Sequence, residues 1–198
     1  MQNLNNLNTP PLIPTPPVPP KQRRFYVLLV IPIILAGLFV AVYGWNYIGT
    51  QSPMKAVISS DVRNKGIHVT THYQNYTNSA VLFYDLNELS AETSPADVFR
   101  VFLQYSEKMK DKQFDKVILA FRGKPKFIVP GTYFKQLGQE YNFQNPVYTI
   151  NHFPESIYRI DGTQAFGTWT GGWLGVASKQ IQDFNDFHKQ WYIDDLSK

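Results

Sequence analysis

Asp85, Arg122 and His152 are the side chains of this 198-residue sequence best suited to chemistry. Asp85 sits near the end of one short apolar run, Ala80 to Leu86, and Arg122 directly after another, Lys116 to Phe121. In open α/β sheets, ligands collect beyond the carboxyl ends of such strands, where loops part and helix N-termini point. Lys124 and Lys126 add positive charge beside Arg122, so this edge would take a carboxylate or phosphate group. The bland alternative is a surface hairpin with solvated cations, its Asp85 satisfied by backbone amides. His152, before Phe153-Pro154, has the chemistry of a general base, yet no partner nucleophile is marked. There is no G-x-S-x-G elbow. The carboxylates Asp61, Asp85, Asp97 and Asp161 are too scattered to read as an acid–base pair.

The segment GTWTGGWLG, from Gly167 to Gly175, is the second candidate. Gly171 and Gly172 would let the backbone turn with positive φ or approach another group closely, just before a helix. Trp169 and Trp173 would then stack on a sugar ring or a peptide side chain; the alternative is a tight loop whose tryptophans fill the core. The segment is neither a G-x-G-x-x-G turn nor a P-loop. His68 and His72 have the spacing of two metal ligands on one helix face, but their β-branched neighbours predict a strand, which would hold them about 13 Å apart. No metal and no cofactor is expected.

The elements that must position these residues follow from periodicity. Ile67 to Gln74 alternates as a strand does, and Ala80 to Leu86 and Lys116 to Phe121 read as strands covered on both faces. Between them Ser94-Pro95-Ala96-Asp97 opens a helix: Ser94 as N-cap, Pro95 in the first turn, Asp97 favouring the dipole. Strand, helix, strand at this spacing predicts a right-handed βαβ unit. A short strand, Lys126 to Val129, and a helix from about Thr132 to Tyr141 follow. Val147 to Asn151 and Ser156 to Ile160 read as extended, with a turn at Asp161-Gly162. A final helix is predicted from about Gly172 to Ile193. The fold class expected is α/β: a mixed β-sheet with a βαβ unit and helices packed on it, preceded by one transmembrane helix.

That helix is the uncharged run from Phe25 to Ile48, long enough at 1.5 Å per residue to cross a hydrocarbon core of roughly 30 Å. Phe25 and Tyr26 mark one interface, and Tyr43, Trp45 and Tyr47 the other. Its length, the segment before it and the lack of an A-x-A site favour an uncleaved anchor over a signal peptide. Lys21, Arg23 and Arg24 lie against the run, which by the positive-inside rule puts the N-terminus in the cytoplasm and the C-terminal domain outside. These three residues supply most of the net charge of +4, so the basic balance reports topology and argues against a nucleic-acid partner. The absence of cysteine excludes disulfides, thiolate catalysis and lipidated anchoring through cysteine.

The expected organisation is a disordered Asn/Pro-rich cytoplasmic tail over 1–24, the anchor over 25–48, a juxtamembrane linker over 49–66 and an extracytoplasmic domain over 67–198. TPPLIPTPPVPP in the tail favours polyproline II and would act as a spacer, or as a strip for a proline-binding partner. The functional expectation is a single-pass protein of the inner or plasma membrane. Its outer domain binds a protein or cell-wall partner without catalysis, contacting it through Trp169, Gly171, Gly172, Trp173, Lys124 and Lys126. The alternative is a membrane-anchored hydrolase or transferase using Asp85, Arg122 and His152.

Overall fold

The computed structural model describes residues 20–196, and side-chain surroundings for 30–196 apart from Trp173. The tail up to residue 19, including the proline strip read as a spacer or a docking strip, lies outside the described residues. The chain divides into two compact units, Met1–Val40 and Ala41–Lys198. A helix, α1 (Pro20–Asn46), begins in the first unit and contains Pro32. In that unit Ile33 is 70% and Phe39 72% exposed, so the helix surface is apolar and outward-facing. Among the described residues, one helical run, Val30–Ser60, is long and apolar enough to cross a membrane, a test that an N-terminal signal sequence also passes.

The second unit is built on a mixed five-stranded sheet. Its strands, β1 (Ile67–Gln74), β2 (Asn78–Leu89), β3 (Lys116–Phe121), β4 (Lys124–Pro130) and β5 (Tyr158–Arg159), lie side by side in chain order. β2 and β3 run parallel, with a helix α3 (Pro95–Lys108) between them in sequence; the other neighbours are antiparallel. Alternation sends Val69, Tyr84, Leu119 and Phe127 to one face, where they join the core with Met54, Phe102, Phe134 and Trp191 from the helices. On the opposite face His72, Phe83, Ile118, Ile128 and Tyr158 stand directly across from one another through all five strands. His72 is stacked between Tyr76 and Phe83, at 5.1 and 5.0 Å.

Helix α3 starts where the sequence places it: the Ser94 hydroxyl accepts the Asp97 N–H at 3.2 Å and the Asp97 carboxylate accepts the Ser94 N–H at 3.1 Å. A helix α4 (Gly131–Glu140) lies so close that a Cβ on Gly138 would stand 2.2 Å from the Ser106 carbonyl oxygen of α3. At Pro125, opposite Ala120 in the β3–β4 ladder, there is no N–H to donate and the register shifts. The indole N–H of buried Trp191 donates to the Ala120 carbonyl instead, at 3.0 Å. Trp191→Phe keeps a ring there but loses that bond, and is expected to lower unfolding free energy by about 1–2 kcal/mol in urea titrations.

Several stretches differ from the sequence expectation. Val147–Asn151 is helical, inside α5 (Pro146–His152), because the Asn145 side chain accepts the Val147 N–H at 2.9 Å and Pro146 occupies the first turn. Ser156–Ile160 keeps only the two residues of β5 as strand, the preceding Pro154–Ser156 forming a 3-10 turn. β4 begins at Lys124 rather than Lys126, since Arg122 (φ 48) and Gly123 (φ 76) close a two-residue hairpin. The final helix is α6 (Trp173–His188), followed by a π turn over Lys189–Ile193 and α7 (Asp194–Leu196).

Residues 49–66, expected as a linker, are folded. A π turn over Tyr47–Gln51 leads into α2 (Ser52–Ser60), whose Met54 and Val57 are buried. The π turn lies along the free edge of β1 and its side chains take the place of a neighbouring strand. Asn46 accepts the Tyr73 N–H at 3.3 Å, and Thr50 donates to the Thr71 carbonyl at 2.8 Å. Gln51 accepts the Thr71 N–H at 2.6 Å and donates to the Val69 carbonyl at 3.1 Å. A bare sheet edge is thereby closed over this length.

Candidate functional site

Of the three residues singled out for catalysis, the structure places Asp85 and Arg122 at one hairpin and His152 in a different pocket. Asp85 lies on the sheet face away from the helices, 9% exposed, and both its carboxylate oxygens accept the Gly123 N–H, at 3.0 and 2.9 Å. Burial raises its carboxyl above the usual carboxylate range, against the pull of Gly123 and His72. Arg122 donates its backbone N–H to the Leu86 carbonyl and its Nε to the Asn87 carbonyl, and its guanidinium stands 4.9 Å from the Phe121 ring centre. These contacts hold the left-handed hairpin, and Asp85 is its clasp. Lys124 is exposed on the same hairpin, whereas Lys126 pairs with Asp195 at 2.6 Å and ties the C-terminal segment to β4.

His152 belongs to a different place, a pocket of about 430 Å³ whose walls include Tyr133, Glu140, Tyr148, Glu155, Ser156 and Thr168. The imidazole stacks on Tyr148 at 4.0 Å, its Nδ1 hydrogen-bonds the Tyr148 carbonyl at 2.8 Å, and its Nε2 is 3.8 Å from the Glu155 carboxylate. The adjacent hydroxyl, Ser156 Oγ, donates to the His152 carbonyl at 3.2 Å and so is not aligned on the imidazole. Burial pushes the Tyr133 phenol up to about 12, so it remains protonated and able to donate across the neutral range.

The loop before α6 meets this pocket at Thr168. Its Trp169 is 39% exposed, donates its indole N–H to Asp183 at 2.6 Å, and has the Lys179 ammonium 5.5 Å from its ring centre. One face of the ring is thus fixed against α6, which pre-orients Trp169. Gly171 takes φ +135, as the turn requires, while Gly172 caps α6; a Cβ at either would meet open space, so neither marks a close backbone approach. The Trp173 side chain lies outside the described residues. Sequence reasoning singled out His152 and the Trp169 loop separately. It missed Tyr133, Tyr148 and Glu155, because only the fold brings α4, α5 and the loop together.

His68 and His72 lie on one strand, and among the described residues no three His, Cys, Asp or Glu side chains are grouped as metal ligands would be. No protein-family model, no curated protein and no solved structure matches this chain.

Proposed function

We propose that this is a single-pass protein of the inner or plasma membrane whose outer domain binds a protein or cell-wall partner without catalysing a reaction. The observation that carries the reading is the state of His152 and its neighbours. The imidazole is stacked and hydrogen-bonded to its own helix, the nearby serine is turned to a carbonyl, Tyr133 and Tyr148 line the pocket, and Trp169 stands 39% exposed on the loop that meets the pocket at Thr168. Such a pocket offers amphipathic rings with few rotatable bonds, which suits recognition. The finer topology belongs to the same reading: α1 is the anchor, the basic Lys21, Arg23 and Arg24 keep the N-terminus in the cytoplasm, and β2, α3 and β3 form a right-handed βαβ unit.

Two measurements test this. A reporter enzyme that works only outside the cytoplasm, fused after Lys198, is expected to be active; activity confined to a cytoplasmic reporter overturns the orientation. Trp169→Ala and Tyr148→Ala, in the full chain crosslinked in its own membrane, are expected to lose the crosslinked partner species while circular dichroism stays unchanged. Retention of that species by both folded variants overturns the site. No observation favours the hydrolase reading, since Asp85 and Arg122 line a hairpin and neither belongs to the His152 pocket.

A further inference from the structure

The tip of the β1–β2 hairpin is tied to the last turn of α1. Buried Asn46 clamps both sides of the turn: its Oδ1 accepts the Tyr73 N–H at 3.3 Å and its Nδ2 donates to the Tyr76 carbonyl at 3.2 Å. The Trp45 ring stands 5.1 Å from the Tyr73 ring. Gly49 lets the π turn lie directly on Tyr73, whose hydroxyl would be 2.6 Å from a Cβ at that position. All of these residues belong to the second unit. The hairpin is therefore fixed to the chain just where it leaves the apolar run.

The turn itself is built against local preference. The Thr77 N–H donates to the Gln74 carbonyl at 3.3 Å, and both central residues, Asn75 (φ 51) and Tyr76 (φ 62), are left-handed. That is the type I′ pattern, for which Asn-Gly is a favoured pair. Asn75 suits it, but a side chain as large as Tyr76 carries a steric cost that glycine would avoid. The Tyr76 ring stacks on His72 at 5.1 Å and is still 46% exposed. Gln74 to Ser79 carries no charge. Tyr43, Tyr47 and Tyr76, all exposed, line one shallow pocket and so form a single aromatic patch. At its rim Lys55 donates to the Tyr47 hydroxyl at 3.1 Å.

We propose that this tip is a membrane-contact site, the Tyr76 ring lying in the headgroup layer of the same bilayer that α1 crosses, beside Tyr43, Trp45 and Tyr47. The inference rests on α1 being the anchor. About 20 residues span the hydrocarbon core, so counting from Phe25 the core ends near Gly44 and these three rings fall at its boundary. Amphipathic rings prefer that layer, and Lys55 sets a cation at the level of the lipid phosphates. Connectivity then carries Tyr76 to the same depth, because Asn46 holds its carbonyl. Contact of the ring with lipid offsets the steric cost of its backbone. Asn78 starts β2 at this tip, whereas Leu86 pairs with Phe121 farther along, so the Arg122-Gly123 hairpin lies at the other end of the sheet, away from the bilayer.

The chain has no cysteine, so a single introduced cysteine carries a spin label at one known position. The full chain is placed in nanodiscs of phosphatidylcholine and phosphatidylglycerol, labelled in turn through Thr77→Cys, Val40→Cys and Lys124→Cys. Collision with oxygen relative to a water-soluble nickel chelate is expected to be several-fold higher at positions 77 and 40 than at 124. Adding Tyr76→Gly to Thr77→Cys is expected to lower that ratio several-fold with circular dichroism unchanged, since glycine suits the turn. Tyr76→Trp, which keeps an interfacial ring, is expected to retain it. A label at 77 as wet as that at 124, with the label at 40 in lipid, overturns the hairpin contact and leaves the anchor standing. A label at 40 in water overturns the anchor, and the contact with it. A label at 77 shielded from both reagents puts protein over the tip, and an unchanged ratio in Tyr76→Gly removes the ring as the contact; either result overturns the proposal.

Discussion

Acidifying the protein from neutral pH to about pH 4 is expected to cost it roughly 3 kcal/mol through one residue, His188. This imidazole is fully buried among Phe99, Phe184, Phe187, Trp191 and Tyr192, and neither ring nitrogen has a hydrogen-bond partner among the described residues. The Phe184 and Tyr192 rings meet it edge to face, at 4.6 and 5.6 Å. Desolvation by this cage lowers its pKa from 6.5 to about 3. The folded state therefore keeps the ring neutral in a range where the unfolded chain binds a proton. As pH falls below about 6.5 the unfolded state gains that proton first, and stability drops by about 1.4 kcal/mol per pH unit until the folded pKa is reached.

His188→Phe removes the titrating group and the two unsatisfied nitrogens. Its unfolding free energy, followed by urea denaturation between pH 7 and pH 4.5, is expected to lack the His188 slope. A variant with the wild-type slope would show that another group is responsible. Asp61, Asp97 and Asp161 do not confuse the measurement. Their hydrogen bonds, to Arg63, Ser94 and Thr163 respectively, hold their carboxyls below the ordinary value, so the stability they contribute is lost only at still lower pH.

Gln51→Ala is expected to destabilise the domain by about 2–4 kcal/mol, because it strips partners from three groups of one strand at once. The Thr71 N–H, the Thr71 hydroxyl and the Val69 carbonyl all bond this amide, at 2.6, 3.1 and 3.1 Å. With the cap gone, β1 presents a longer run of unpaired backbone, the surface that recruits other strands. The variant is thus expected to self-associate at concentrations where the parent does not, visible by light scattering. Gln51→Glu tests the mechanism: its carboxylate still accepts from Thr71 but has no proton for the Val69 carbonyl, so an intermediate loss is expected. Equal stability of Gln51→Ala and the parent would dismiss the edge-cap account.

The candidate site divides along the same physical line as these effects. Asp85 and Arg122 were visible in the sequence as charges beside apolar runs. Their use was not, because the left-handed Arg122-Gly123 hairpin that turns the Gly123 N–H onto Asp85 is a matter of register across β3 and β4. Trp169 stood out by composition, but its fixation by Asp183 depends on the loop folding back on α6. The helix at Pro146 was not read from the sequence, where the β-branched Val147, Thr149 and Ile150 pointed to extended chain; the Asn145 cap and the first-turn Pro146 prevail over them.

By itself the sequence determined what depends on neighbours along the chain: the long apolar helix, the Ser94 capping box, the alternation of Ile67–Gln74 and the buried strand Lys116–Phe121. These follow from periodicity and local hydrogen bonding, which act over a few residues. The tertiary structure alone decided the partners of polar groups far apart in the chain. Gln51 meets Thr71, Trp191 meets Ala120, and His188 is sealed in an aromatic cage because sheet order and helix packing bring them together. The same long-range packing makes residues 49–66, expected as a juxtamembrane linker, the cap of a sheet edge and one wall of a groove beside it.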